Sequence, residues 1–217
     1  MRKSVLLIGL GRFGRYTAKK LHEMDIEVMA VDRDEERVAK VLDYTTNAMI
    51  GDGSDEEFIG SIGVSNYDVC IVAIGDDFLN SLETTALLNE YGAKFVVARA
   101  TMDSQEKFLL RNGADAVVFP ERQMGIWTAI RYGCDNVENF IDLGDGFAIY
   151  EIKVPEEWVG QKIGDLEVRR KYHLNILGVR DGDMHMDITY ETVIRKYESL
   201  LVLGKTSDLE KVVKRKG

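Results

Sequence analysis

The chain predicts an α/β fold: a Rossmann-like, doubly wound parallel sheet followed by a small C-terminal α+β lobe. Three observations lead there. Short apolar runs alternate with helical stretches as far as about residue 133. The first run, Val5 to Leu10, passes into Gly9-Leu10-Gly11-Arg12-Phe13-Gly14, a Gly-x-Gly-x-x-Gly sequence that opens a helix. Beyond about Asn139 the alternation gives way to closely spaced strand-like segments.

The glycines each have a physical task. Gly9 permits the tight turn after the first strand, Gly11 lets backbone N–H groups approach a phosphate, and Gly14 lets the helix pack on the sheet. The helix, Arg12 to Met24, offers unpaired N–H donors and a positive dipole end to that anion. Glu27 to Asp32 is the second strand, and Asp32 lies about 20 residues past the glycines, where a carboxylate accepts from ribose hydroxyls. A helix over Asp34 to Leu42 leads to a third strand, Thr46 to Ile50, and then to Gly51-Asp52-Gly53-Ser54. Ser54 or Asp55 caps a brief helix ending near Gly60 to Gly63. Asp68 to Ile74 is a strand whose run from Val69 on is continuously apolar, as expected when both faces are buried. Gly75-Asp76-Asp77 opens a long helix to about Tyr91, with Gly92 as its C-cap. Lys94 to Arg99 is the fifth strand, Asp103 to Arg111 a helix stopped by Asn112-Gly113, and Ala116 to Phe119 the sixth strand. Pro120 starts a helix to about Tyr132, ended by Gly133. These elements assign residues 1–135 to a nucleotide-binding domain.

Residues 140–217 form the second domain. Phe147 to Val154 alternates as a strand does, and Asp165 to Lys171 is a short helix. Leu174 to Arg180 and Met184 to Ile188 flank Asp181-Gly182, a hairpin signal. Ser199 to Leu203 is the last strand, and Ser207 to Lys214 is a helix whose basic end suits the dipole. No Pro/Ser-rich linker separates the lobes.

Composition limits the function. With 217 residues, 45% hydrophobic and 30% charged, the chain is sized and composed as a soluble globular protein. A net charge of −9 argues against nucleic acid and anionic lipid as partners. No apolar run reaches the roughly 18 residues of a membrane span, and the run after Arg2-Lys3 is too short for a signal peptide. Two cysteines give no disulfide framework, which fits a reducing cytoplasm. Cys70 reads as a core residue. The three histidines, His22, His173 and His185, have no metal-ligand spacing. There is no Gly-x-Ser-x-Gly elbow and no Walker lysine. Catalytic machinery is thin, and a dinucleotide motif alone does not make an enzyme. Asp34-Glu35-Glu36 and Asp76-Asp77 read as acids favouring helix N-termini.

Further motifs carry a resemblance. They are Val31-Asp32, Ile50-Gly51-Asp52-Gly53-Ser54, Val72-Ala73-Ile74-Gly75, and Gly113-Ala114-Asp115 followed by Pro120-Glu121-Arg122-Gln123-Met124-Gly125. Asp165-Leu166-x-Val168-Arg169 and Asn175-Ile176-Leu177-Gly178-Val179 follow in order. With the glycine loop, these make the chain resemble the KTN/RCK regulatory proteins of bacterial potassium uptake, of the two-lobed KtrA/TrkA type. The resemblance implies a non-enzymatic cytoplasmic subunit at the inner face of the cell membrane. It implies dimers assembling into an octameric ring, with or without a second RCK subunit. The ring would gate a membrane-embedded TrkH/KtrB-type potassium transporter in response to ATP or ADP, with AMP and NAD/NADH as further candidates.

The same resemblance assigns the site. Gly9, Gly11, Phe13 and Gly14 would form the phosphate loop, with Arg12 reaching a terminal phosphate at the dimer interface. Asp32 and Arg33 would flank the ribose, and Asp52 and Gly53 the adenosine. Ala73, Ile74 and Gly75 would complete the wall, and Arg99 would add positive charge near the phosphates. Glu121 would join a bridging Mg²⁺, Ca²⁺ or Na⁺. Arg169, His173 and Asn175 are the candidates for a ligand in the second lobe, cyclic di-AMP in some relatives. Some relatives carry proline where this chain reads Asp187-Ile188-Thr189-Tyr190, a departure expected to remove a wall of that pocket. Three alternatives stay open: an NAD(H)-responsive regulator of the same type, a small NAD-dependent oxidoreductase, and a regulator of a K⁺-antiporter or Na⁺ system with the same fold but another membrane partner. NADP is disfavoured because Asp32 would repel a 2′-phosphate.

Overall fold

A computed structural model describes residues 2–213. The chain divides into two compact units, residues 1–121 and 122–217. In the first, six strands lie parallel in the order β3-β2-β1-β4-β5-β6. They are β1 Ser4–Ile8, β2 Glu27–Asp32, β3 Asn47–Ile50, β4 Val69–Val72, β5 Val96–Arg99 and β6 Ala116–Val118. The order reverses beside β1, so a crevice opens at the carboxyl ends of β1 and β4. β1 is central and hydrogen-bonds on both sides, with Leu7 opposite Ala30 of β2 and Ile71 of β4. Its side chains alternate between two cores. Leu7 packs with Ala18, Ala30 and Val38 on one face. Leu6 and Ile8 pack with Ile59, Leu88 and Leu109 on the other. This double burial explains why Val5 to Ile8 are apolar without interruption.

The helices follow the punctuation closely. They are α1 Arg12–Glu23, α2 Glu35–Ala39, α3 Glu56–Ser61, α4 Phe78–Glu90, α5 Asp103–Arg111 and α6 Pro120–Gly133. Asp34, Asp55 and Asp77 are the N-caps of α2, α3 and α4, each accepting from backbone N–H groups of the first turn. The one shortfall is α2. It ends at Ala39 and yields to a 3₁₀ turn at Leu42–Tyr44, whereas the periodicity carried one helix to Leu42.

The second unit is a five-stranded sheet in the order β10-β9-β11-β8-β7. Its strands are β7 Val137–Gly144, β8 Phe147–Lys153, β9 Asn175–Asp181, β10 Asp183–His185 and β11 Ser199–Lys205, all antiparallel to their neighbours. The helices are α7 Ile163–Leu166, α8 Val168–Tyr172 and α9 Thr206–Val213. Tyr150, Ile152, Leu200 and Val202 face one core with Trp158, Leu166, Leu174 and Leu209, and Trp127 and Ile130 of α6 pack against it. Lys214, expected at the end of α9, lies outside the described residues.

Three features differ from the sequence reading. β7 went unread, although Asp145-Gly146 supplies a two-residue turn in which both φ angles are positive (51° and 76°). The expected helix over Asp165 to Lys171 is two short helices, broken where Glu167 adopts a left-handed φ of 49°. β10 ends at His185 rather than Ile188.

Candidate functional site

A cleft of about 250 Å³ opens at the carboxyl ends of the first sheet. Its floor is the glycine loop. Gly9 has φ +96°, and its N–H donates to the Val31 carbonyl at 2.8 Å, tying the loop to β2. A Cβ on Gly14 would lie 1.9 Å from the Gly9 carbonyl oxygen, so only glycine lets α1 start this close to the strand. A Cβ on Gly11 would meet no protein atom within 4 Å. Gly11 is the N-cap of α1, and neither a capping side chain nor an acid in the first turn serves that terminus. Three of the first helices have an aspartate in that position; α1 has bare N–H groups.

Two carboxylates, Asp32 and Asp52, also line the cleft. Asp32, at the end of β2, is 5% exposed. Its Oδ2 accepts from the Leu10 N–H at 2.6 Å and its Oδ1 from the Asp34 N–H at 2.9 Å. Arg37 approaches Oδ2 at 3.7 Å. Asp32 therefore fixes the glycine loop to β2 as well as facing the cleft. Asp52, after β3, gathers three hydrogen bonds on Oδ1: from the Ser54 N–H (3.0 Å), the Ser54 hydroxyl (2.8 Å) and the Asn80 amide (3.0 Å). The Ser54 backbone donor, the Asn80 amide, the Ser54 hydroxyl and then the Arg33 charge hold the Asp52 carboxyl below the usual carboxylate range, against the opposing effect of burial.

The structure brings most of the expected residues together. Gly9, Gly11, Asp32, Arg33, Asp52, Gly53, Ala73, Ile74 and Arg99 line the cleft. Arg12, Phe13, Gly14 and Gly75 stand off its walls. Arg12 is exposed on the first turn of α1. Gly75 leaves room for Arg99, whose Nη1 would be 2.5 Å from a Cβ there. The Arg99 guanidinium also sits 5.5 Å from the centroid of the Phe13 ring and pairs with Glu121. Glu121, expected beside a bridging cation, thus has a guanidinium as its neighbour. Among the described residues no group of three His, Cys, Asp or Glu forms a cation cage. Sequence reasoning missed Arg37, Asn80, Asp34, Asp76 and Asp77 as cleft-lining residues. The three aspartates were read only as helix-terminal acids. Asn80 on α4 carried no signal, because its partners lie 26 and 28 residues earlier.

A second cleft, about 550 Å³, lies in the C-terminal unit. Arg169 and Asn175 line it, joined by a 2.7 Å hydrogen bond from Nε to Oδ1. His173 does not line it; it ends α8 in a left-handed conformation and is exposed. The expected missing wall is present: Ile188, Thr189 and Tyr190 line the cleft, and the Tyr190 ring lies against Gly164, with Cδ1 2.6 Å from where a Cβ would be.

With this geometry in place, comparison with known proteins is informative. Residues 5–120 match the TrkA-N domain and residues 147–217 the TrkA-C domain. The chain is 35% identical over 216 residues to Ktr system potassium uptake protein C of Bacillus subtilis, covering 99% of this chain and 98% of that one. It is 36% identical over 210 residues to Ktr system potassium uptake protein A of the same organism, covering 96% and 95%. Among solved structures, a GsuK channel bound to NAD superimposes with a TM-score of 0.71 at 18% identity; all of this chain matches 40% of the channel chain. That likeness concerns the fold. The chain belongs to the KTN/RCK family of TrkA- and KtrA-type potassium uptake proteins.

Proposed function

We propose that the protein is a non-enzymatic regulatory subunit that binds an adenine nucleotide, ATP or ADP, in the N-terminal cleft and thereby gates a membrane potassium transporter. The observation that carries this reading is the start of α1. Its N–H donors have no capping side chain or first-turn acid, Gly11 keeps Cβ bulk away, and the helix dipole favours an anion there. Asp32 and Asp52 add fixed acceptors beside it, which suits a ribose and a purine amine. The relatives' names supply the potassium uptake context. NAD, present in the related channel structure, shares its adenosine diphosphate moiety with ADP and ATP.

In this reading Arg12 serves a nucleotide held by a paired subunit. It is exposed and off the wall of its own cleft. A guanidinium makes charge-assisted hydrogen bonds to a terminal phosphate that the triphosphate extends and the diphosphate lacks. Gating is then a population shift, because the nucleotide must bind one arrangement of a subunit ring more tightly than another. The working location is the cytoplasmic face of the membrane. Among the described residues no helix is long and apolar enough to cross it.

Thermal unfolding with ATP, ADP, AMP, NAD⁺ and NADH tests this. A ligand that binds only the folded state raises the midpoint by mass action. Strong shifts with ATP and ADP, changed unequally by Arg12→Ala, are expected. A shift confined to NAD⁺ and NADH would replace the ATP switch with a redox-responsive regulator.

A further inference from the structure

Three motif residues, Phe13, Gly75 and Glu121, converge on one guanidinium, that of Arg99. Arg99 is the last residue of β5, and its side chain is only 16% exposed. The Phe13 ring lies beneath it at 5.5 Å, within cation–π range. Gly75 has no left-handed φ, so conformational freedom does not explain it. Its task is space, since a Cβ would sit 2.5 Å from Arg99 Nη1 and 2.8 Å from Cζ. Phe13 belongs to the first turn of α1, so the cradle holds the charge at the phosphate end of the cleft that Arg99 lines. Arg99 Nε is buried and has no hydrogen-bond partner among the described residues.

The counter-ion is held far less firmly. Glu121 pairs with Arg99 Nη2 from the first turn of α6, with its side chain 56% exposed. An ion pair with one partner this open contributes little, because water replaces it readily. A nucleotide diphosphate brings more charge and more acceptor oxygens than one carboxylate. Arg99 is therefore the fixed member, and Glu121 the exchangeable one.

We propose that nucleotide phosphate displaces Glu121 from Arg99, so that binding at the glycine loop releases a carboxylate on the first turn of α6. The inference rests on the nucleotide reading above. It makes Phe13 and Gly75 positioning residues, and Arg99 a phosphate-binding residue whose partner reports occupancy. Glu121 is the last residue of the first unit, and α6 continues from it into the second.

Titration calorimetry on the full chain, in EDTA, with ADP and adenosine as probes, is the test. Glu121→Gln removes the competitor, and ADP affinity is expected to rise about fivefold, the lower end of coupling between sites. Adenosine affinity is expected to stay unchanged. Arg99→Gln is expected to weaken ADP by at least as much, and adding Glu121→Gln to it is expected to do nothing more. Weaker or unchanged ADP binding in Glu121→Gln overturns the exchange, as does an equal change for adenosine. If Arg99→Gln does not fold, the Glu121→Gln result alone decides. Wild-type protein that binds neither probe overturns the nucleotide reading itself, and the exchange with it.

Discussion

Gly14 is the tightest point of the glycine loop, and its substitution separates fold from function. A Cβ there, 1.9 Å from the Gly9 carbonyl oxygen, has no flexible neighbour to displace. Gly14→Ala is expected to destabilise by about 1–3 kcal/mol or more through overpacking, read as a lower urea midpoint. Asp52 gives a pH signature instead. Its carboxyl is held below the ordinary value by the Ser54 and Asn80 donors. The stability it contributes is thus present above the unfolded-state value of about 3.9 and lost as pH falls through the lower folded value. Asp52→Asn should flatten the decline of the urea midpoint below about pH 4. Legibility at this scale depended on how local the geometry was. Gly9, Gly11, Gly14 and Asp32 could be read because a backbone motif and a strand-end spacing dictate them. Asn80 and the space-giving role of Gly75 could not, since their partners, Asp52 and Arg99, are distant in sequence.

Among the elements, α1 carries Arg12 and Arg15 at its start and no acid in its first turn. Cations at that end oppose the dipole. Reversing Arg12 with Arg12→Glu should therefore stabilise the protein by about 0.3–1 kcal/mol in the absence of nucleotide. It should also abolish the ATP-induced rise in melting midpoint. Thermal scans with and without ATP give both readings, and a variant less stable than wild type would contradict the dipole argument. The central strands β1 and β4 were readable because parallel strands covered on both faces are largely apolar. β7 was not. Only Val137 and Phe140 of its eight residues are buried, so it shows no clean alternation. Its turn at Asp145-Gly146 was nevertheless a signal, of the same kind as the Asp181-Gly182 that was recognised. The break between α7 and α8 had no such signal, because a non-glycine residue at positive φ is rarely foreseeable.

Across the whole molecule, the two units have separate cores. Cys70 lies fully buried in the first, and burial pushes its thiol up to about 12. Labelling needs a thiolate and access, so it must await opening of that unit. In a Cys134→Ala variant, ADP at a hundred times its dissociation constant should slow labelling of Cys70 about a hundredfold. An unchanged rate would separate nucleotide binding from the stability of the first unit. The two-lobed plan was legible from where helix–strand alternation stops. The seam was read at residues 135–140, while the compact units meet at residue 121, because the side chains of α6 that settle the matter are Trp127 and Ile130. The chain has two tryptophans, Trp127 and Trp158, and both lie in the second unit. Trp158 is 2% exposed and Trp127 packs at the edge of the same core. Light absorbed near 295 nm is therefore emitted from one half of the protein alone, and the cleft that carries the glycine loop is optically dark. A fluorescence change on adding nucleotide would be, by construction, a message received in the other half.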